Sequence, residues 1–162
     1  VLQFSERFNF APTPEEITAL PDSVQNWLPF PDTVAALQRL HQRYKLVILS
    51  NIDDALFAGS AKHLQVPFDD VITAEQIGSY KPAITNFKTM MQRVGVPQDQ
   101  ILHVAQSIHH DIQPASSLGL STVWVNRRHS QDGAGATPIA KAEADLTVPN
   151  LQTLAEMALG LP

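Results

Sequence analysis

The chain is 162 residues long, 44% apolar, with two Trp and two Tyr, the size and make-up of one globular domain with its own core. Eleven basic residues against sixteen acidic ones leave a net charge of -5, and no basic run exceeds the Arg127-Arg128 pair, which argues against nucleic acid and anionic membrane as partners. Cysteine is absent, excluding disulfides, thiol catalysis and thiolate zinc sites and fitting a cytoplasmic protein.

The opening VLQFSERFNF lacks the basic start and apolar centre of a signal peptide, and no apolar stretch is long enough to span a bilayer. It also lacks an initiator Met, so the chain is expected to begin inside a longer protein. Thr13-Pro14-Glu15-Glu16 reads as a capping box that starts a short helix stopped by Pro21, with a second short helix over Ser23 to Trp27. Pro29-Phe30-Pro31-Asp32 is a Pro-rich joint between an accessory piece, residues 1–28, and a core, residues 29–162. Val34, Leu37, Leu40 and His41 then share one face of a helix reaching about Tyr44.

From there strands and helices alternate. Lys45 to Leu49 reads as a strand buried on both faces, followed by a helix over Asp53 to Leu64 capped by Asn51 or Asp53. Phe68 to Thr73 is a second strand, and Pro82 to Val94 a helix closed by Gly95 in the left-handed conformation. Ile101 to Ala105 is a third strand, His109 to Leu118 a helix ended by Gly119, and Thr122 to Val125 a fourth strand. HSQDGAGATPI reads as a surface loop, Leu146 to Val148 as a last strand and Leu151 to Leu159 as a final helix. The pattern predicts an α/β fold, a Rossmann-like parallel sheet flanked by helices.

Such sheets bind ligands at the carboxyl ends of their strands, which directs attention to Ser50-Asn51, Ser79-Tyr80-Lys81, Gln106-Ser107 to Asp111, and Asn126-Arg127. Ser50 follows a strand, where its hydroxyl and the next N–H groups suit an oxyanion, phosphate or carboxylate; capping the next helix is the simpler role. Lys81, read near the N-cap of a helix, opposes the helix dipole, so something else should require its charge. Asp111 is favourable as a helix N-terminal charge and equally suited to coordinate a cation or position a lysine. His109 and His110 are adjacent and diverge, and His103 lies in a strand, so a histidine metal site is not expected. GxGxxG, Walker and Gly-x-Ser-x-Gly motifs are all lacking.

In order along the chain, VILSNID, GSYKP and VAQSIHHD before ASSLGLSTVWVNR resemble the second, third and fourth motifs of the haloacid dehalogenase superfamily, in its L-2-haloacid dehalogenase-like branch. The resemblance covers about residues 29–128, and residues 1–28 are similar to the end of that family's helical cap. It implies that Ser50 and, beside it, Asn51 hold the substrate's anionic group, that Lys81 neutralises the nucleophilic carboxylate, that Asp111 is the last acid of the fourth motif, and that Ser107 and Gln106 lie in its turn and meet substrate. Phosphatase members carry Gly-Asp where this chain has Ala105-Gln106, and an amide is a poor ligand for a hard cation, which argues against magnesium and for metal-independent chemistry. Were magnesium bound, Asp111 would be its ligand.

The family's aspartate nucleophile ends a first strand that matches nothing here. That strand is also central in the family's sheet, so KLVIL and ILHVA should be left with unpaired groups unless an N-terminal segment or another chain fills the gap. The resemblance therefore implies a hydrolase acting on a small organic acid, through carbon–halide or phosphate-ester cleavage and an aspartyl ester, with this chain alone inactive. The alternative is a non-catalytic relative serving as a binding or scaffold module. The sequence leaves a homodimer open.

Overall fold

The computed structural model describes residues 2–128, 138 and 140–160. Helix α1 (Leu2–Phe8) opens the chain, where no element was expected, and its Phe4 and Phe8 stack on the exposed face with centroids 6.2 Å apart. Helix α2 (Pro14–Val24) begins at the expected capping box, with Glu16 N–H donating to Thr13 Oγ1 and Thr13 N–H to Glu16 Oε2.

Two expectations for this region are corrected. Helix α2 runs through Pro21, and Ser23 to Trp27 is its last residues and a closing turn, not a second helix. Proline removes one helical N–H, but no residue of α2 is buried, so water can serve the carbonyl left without a partner.

Helix α3 (Thr33–His41) ends short of Tyr44 and packs Ala36 and Leu40 on Ala155 of the last helix. The alternation then follows as β1 (Val47–Ser50), α4 (Asp54–Leu64), β2 (Asp70–Thr73), a four-residue α5 (Ala74–Ile77) that the sequence did not announce, and α6 (Ile84–Val94). Next come a 3-10 turn (Gln98–Gln100), β3 (Leu102–Ala105), a π-helical turn (Ile108–Ile112) running into α7 (Gln113–Ser117), β4 (Ser121–Val125), β5 (Leu146–Val148) and α8 (Leu151–Leu159). The HSQDGAGATPI loop lies outside the described residues apart from Pro138. Asp53 caps α4 by accepting the Leu56 N–H, and Gly95 closes α6 at φ +65°, both as expected.

All strand pairs are parallel, and helices flank them. They form two pieces, β1-β2 and β3-β4-β5, and among the described residues nothing pairs with the other edge of β1 or β3. This overturns the expectation that the first strand is buried on both faces. All four residues of β1 are only half-buried, whereas Thr122, Val123 and Val125 of β4, which has a neighbour on each side, are buried. The unpaired edges of β1 and β3 leave a gap in the sheet, the slot, that no described strand fills.

The main core gathers Ile72, Phe87, Met90 and Ala115 from β2, α6 and α7, with Leu120 from the turn just before β4. A second cluster of Val123, Val125, Val148 and Leu154 secures α8 against β4 and β5. Asp145 ties the lower end of β4 by accepting from both the N–H and the hydroxyl of Thr122.

Candidate active site

Parallel strands put their carboxyl ends at one edge of the sheet, and this brings the turns after β1 and β3 to the mouth of the slot. The Lys81 turn joins them through hydrogen bonds. Lys81 Nζ donates to the Leu49 carbonyl of β1 at 2.8 Å and to Asp111 Oδ1, in the turn after β3, at 2.7 Å. The side chains of Lys81 and Asp111 are 11% and 8% exposed, so this is a nearly buried ion pair spanning the two halves of the sheet.

The backbone of Lys81 is held by Asn51. The Asn51 side chain accepts the Lys81 N–H through Oδ1 at 2.6 Å and donates Nδ2–H to the Lys81 carbonyl at 2.9 Å. That clamp keeps Lys81 and Pro82, joined by a cis peptide, in a turn outside the helix. The helix expected from Pro82 therefore starts at Ile84 with Ala83 at its N-cap, and Lys81 is not a helix-terminal charge. Its charge is answered by Asp111.

Asp111 sits in the π-helical turn and takes a second donor on the same oxygen, His103 Nε2 at 3.0 Å. Burial pushes its carboxyl upward, but the His103 hydrogen bond and the charge and hydrogen bond of Lys81 outweigh it and hold the group below its ordinary value. Oδ2 has no hydrogen bond among the described residues and is not sealed from solvent. Chemically, the site offers an ammonium with one donor to spare and a carboxylate oxygen with no protein donor among the described residues.

The other expected residues are placed less uniformly. Ser50 ends β1 half-buried, and its hydroxyl has no hydrogen bond among the described residues. Asn51 spends its amide on Lys81. The Ser107 hydroxyl accepts the His110 N–H at 3.0 Å and lies 3.1 Å from His110 Nδ1, capping the π-helical turn. Gln106 is exposed, and its carbonyl accepts the Trp124 indole N–H at 2.8 Å. Arg127 turns away from Asp111 into a fork with Asp32, at 2.8 and 3.1 Å, while its guanidinium lies 4.1 Å from the Phe30 ring centroid. An open pocket of about 450 Å³ beside that fork is lined by Phe30, Asp32, Arg127 and Asn150 and holds none of the groups around Asp111.

His109 and His110, expected to diverge, instead meet edge to face with centroids 4.9 Å apart at 79°; no group of three or more His, Asp or Glu suited to a metal exists among the described residues. Asp111 supplies one free carboxylate oxygen and Gln106 only a neutral amide, whereas magnesium prefers several hard oxygen ligands.

Two residues in ionic contacts escaped the sequence: His103, read as lying in a strand, and Asp32, read as part of a Pro-rich joint. A histidine inside an otherwise apolar strand was the available signal for the first. Asp32 gave none, because its partner Arg127 is far along the chain.

A family model described as haloacid dehalogenase-like hydrolase matches residues 13–125. The chain belongs to that family. It is 32% identical over 94 residues to a glyceraldehyde 3-phosphate phosphatase of Methanocaldococcus jannaschii, covering 58% of this chain and 39% of that one. It is also 32% identical over 114 residues to (S)-2-haloacid dehalogenase H-109 of Pseudomonas putida, covering 68% of this chain and 50% of that one. The chain thus spans half or less of the length of these two relatives. Its fold matches the L-2-haloacid dehalogenase of Xanthobacter autotrophicus solved with chloropropionic acid covalently bound, with a TM-score of 0.79 at 20% identity, covering 97% of this chain and 71% of that one. No described helix is long and apolar enough to cross a membrane.

Proposed function

We propose that this chain forms most of the core of a haloacid dehalogenase-type hydrolase whose attacking aspartate sits on a strand filling the slot between β1 and β3, and whose substrate is a small organic acid. The observation that carries the reading is the Lys81–Asp111 pair spanning that slot with a spare ammonium donor. An aspartate oxygen attacks the carbon bearing the halogen, halide leaves with the bonding pair, and an ester forms. Water then adds to the ester carbonyl and releases the hydroxy acid, one proton and the free carboxylate.

Lys81 stabilises the attacking carboxylate and the charge that returns to it, Asp111 fixes Lys81 or assists the water, and Ser50 holds the substrate's anionic group. Gln106 and Ser107 border the substrate, and Asn51 contributes by holding Lys81. Carbon–halogen cleavage ranks ahead of phosphate-ester cleavage because Gln106, a neutral amide, stands where phosphatase members carry an aspartate. The (S)-2-haloacid dehalogenase relative supports that order, and the phosphatase relative keeps the second chemistry in view.

A second reading, a non-catalytic binding module, is favoured by one fact: of the described carboxylates, only Asp111 pairs with Lys81. The test measures halide release from 2-chloropropionate and phosphate release from p-nitrophenyl phosphate, each with EDTA or magnesium, using protein that carries the coding sequence upstream of Val1. Halide release in EDTA, lost in Lys81→Met, is expected. Phosphate release that needs magnesium would overturn the preferred chemistry, and a start codon near Val1 with neither activity would leave the binding module.

A further inference from the structure

We infer that His103 is a positioning residue that fixes which oxygen of Asp111 meets Lys81 and which stays free of a protein donor; this rests on the hydrolase reading above. The imidazole is 10% exposed, on β3, with Nε2 3.0 Å from Asp111 Oδ1. Its ring is set edge-on against Phe87, with centroids 5.2 Å apart at 65°, and Phe87 is wholly buried on α6. Packing therefore determines the direction in which Nε2–H points.

A histidine that merely satisfied a buried hydrogen bond could use either carboxylate oxygen. Here it selects the oxygen that already accepts Lys81 Nζ, so two donors converge on Oδ1. The consequence is geometric. Oδ2 is left without a protein donor among the described residues and is not fully buried. Without the imidazole, the carboxylate is held by one flexible ammonium that can follow it as it turns, and the two oxygens lose their separate tasks. Residues that orient a functional ligand in this way typically change activity by about 10- to 100-fold when removed.

The variants separate donor from packing. His103→Phe keeps a ring against Phe87 and loses the N–H, whereas His103→Gln keeps an N–H at similar reach and loses the ring. In the full-length protein, with 2-chloropropionate and p-nitrophenyl phosphate as probes, kcat of His103→Phe should fall about 10- to 100-fold with KM unchanged, and His103→Gln should recover most of it. Should the phenyl ring not be accommodated, His103→Asn, too short to reach Oδ1, serves in its place and should lose the same kcat. Wild-type kcat in the donor-less variant, or equal losses in the donor-less variant and His103→Gln, would overturn the proposal. If the wild type turns over neither probe, the hydrolase reading fails by itself. The positioning is then judged on a crystal structure of the donor-less variant, where a carboxylate rotated from its present orientation is expected and an unmoved one overturns the inference.

Discussion

Replacing Asp111 by leucine removes the anion that faces the Lys81 ammonium 2.7 Å away in a site where the two side chains are only 8% and 11% exposed. At that separation the gross attraction is about 6 kcal/mol for an effective dielectric constant of about 20. Both charges are largely desolvated in the folded chain, so the pair's net worth is smaller, but removing one partner strands the other. The Leu49 carbonyl is then the one acceptor left to the ammonium among the described residues. Losses of about 3 to 5 kcal/mol are expected for such a break, or roughly 6 to 20 °C in Tm for a chain of this size.

Calorimetric or fluorescence melts of Asp111→Leu, Lys81→Met and the double variant check this. The double variant leaves no unpaired charge and should be more stable than the sum of the single losses predicts. Single variants that melt with the wild type, or losses that simply add, would refute the idea that the two residues form one buried ionic unit. Acid titration gives a second readout. Because the Asp111 carboxyl is held below its ordinary value in the folded chain, its stabilisation is complete above its unfolded value near about 3.9 and disappears as pH falls through the folded one. Asp111→Asn should show a shallower loss of stability below about pH 4.

Asn51→Ala should release the Lys81 backbone at a cost of about 1 to 3 kcal/mol, two hydrogen bonds' worth, with activity falling further than stability; parallel melts and kinetics of the full-length protein decide. Asp32→Ala strips Arg127 and the Leu151 N–H of their shared acceptor and should cost about 3 kcal/mol by urea denaturation. Burial raises the Asp32 carboxyl, but Arg127 and the Leu151 N–H bring it below its ordinary value, so this contribution too is present above about pH 4 and lost on acidification. Gly119→Ala should cost about 1 to 2 kcal/mol, since φ is +77° and the added Cβ would come within 2.9 Å of Gln98 Nε2; an unchanged urea midpoint would contradict it.

The slot between β1 and β3 shows why part of the site could be read and part could not. Lys81 and Asp111 were visible because each occupies a fixed place relative to a strand end, and strand ends are written in local patterns of apolar residues. Their bond was not visible, because thirty residues of chain separate them and only the folded sheet sets the distance. Asn51 was expected to meet substrate; the turn it stabilises is defined by contacts with Lys81, which no spacing in the sequence encodes. Helix α2 passing Pro21 is a failure of another kind, since the cost of a proline depends on whether the deprived carbonyl can be hydrated, and exposure is a property of the fold.

What the sequence determined by itself is the order of parallel strands and helices, the caps at Thr13, Asp53 and Gly95, and the turns that carry chemistry, all of which follow from interactions within a few residues. What only the tertiary structure decided is the sharing of one carboxylate oxygen by Lys81 and His103, and the diversion of Arg127 to Asp32. Those depend on distances between distant segments, which packing of Phe87, Ile72 and their neighbours sets and no local pattern records.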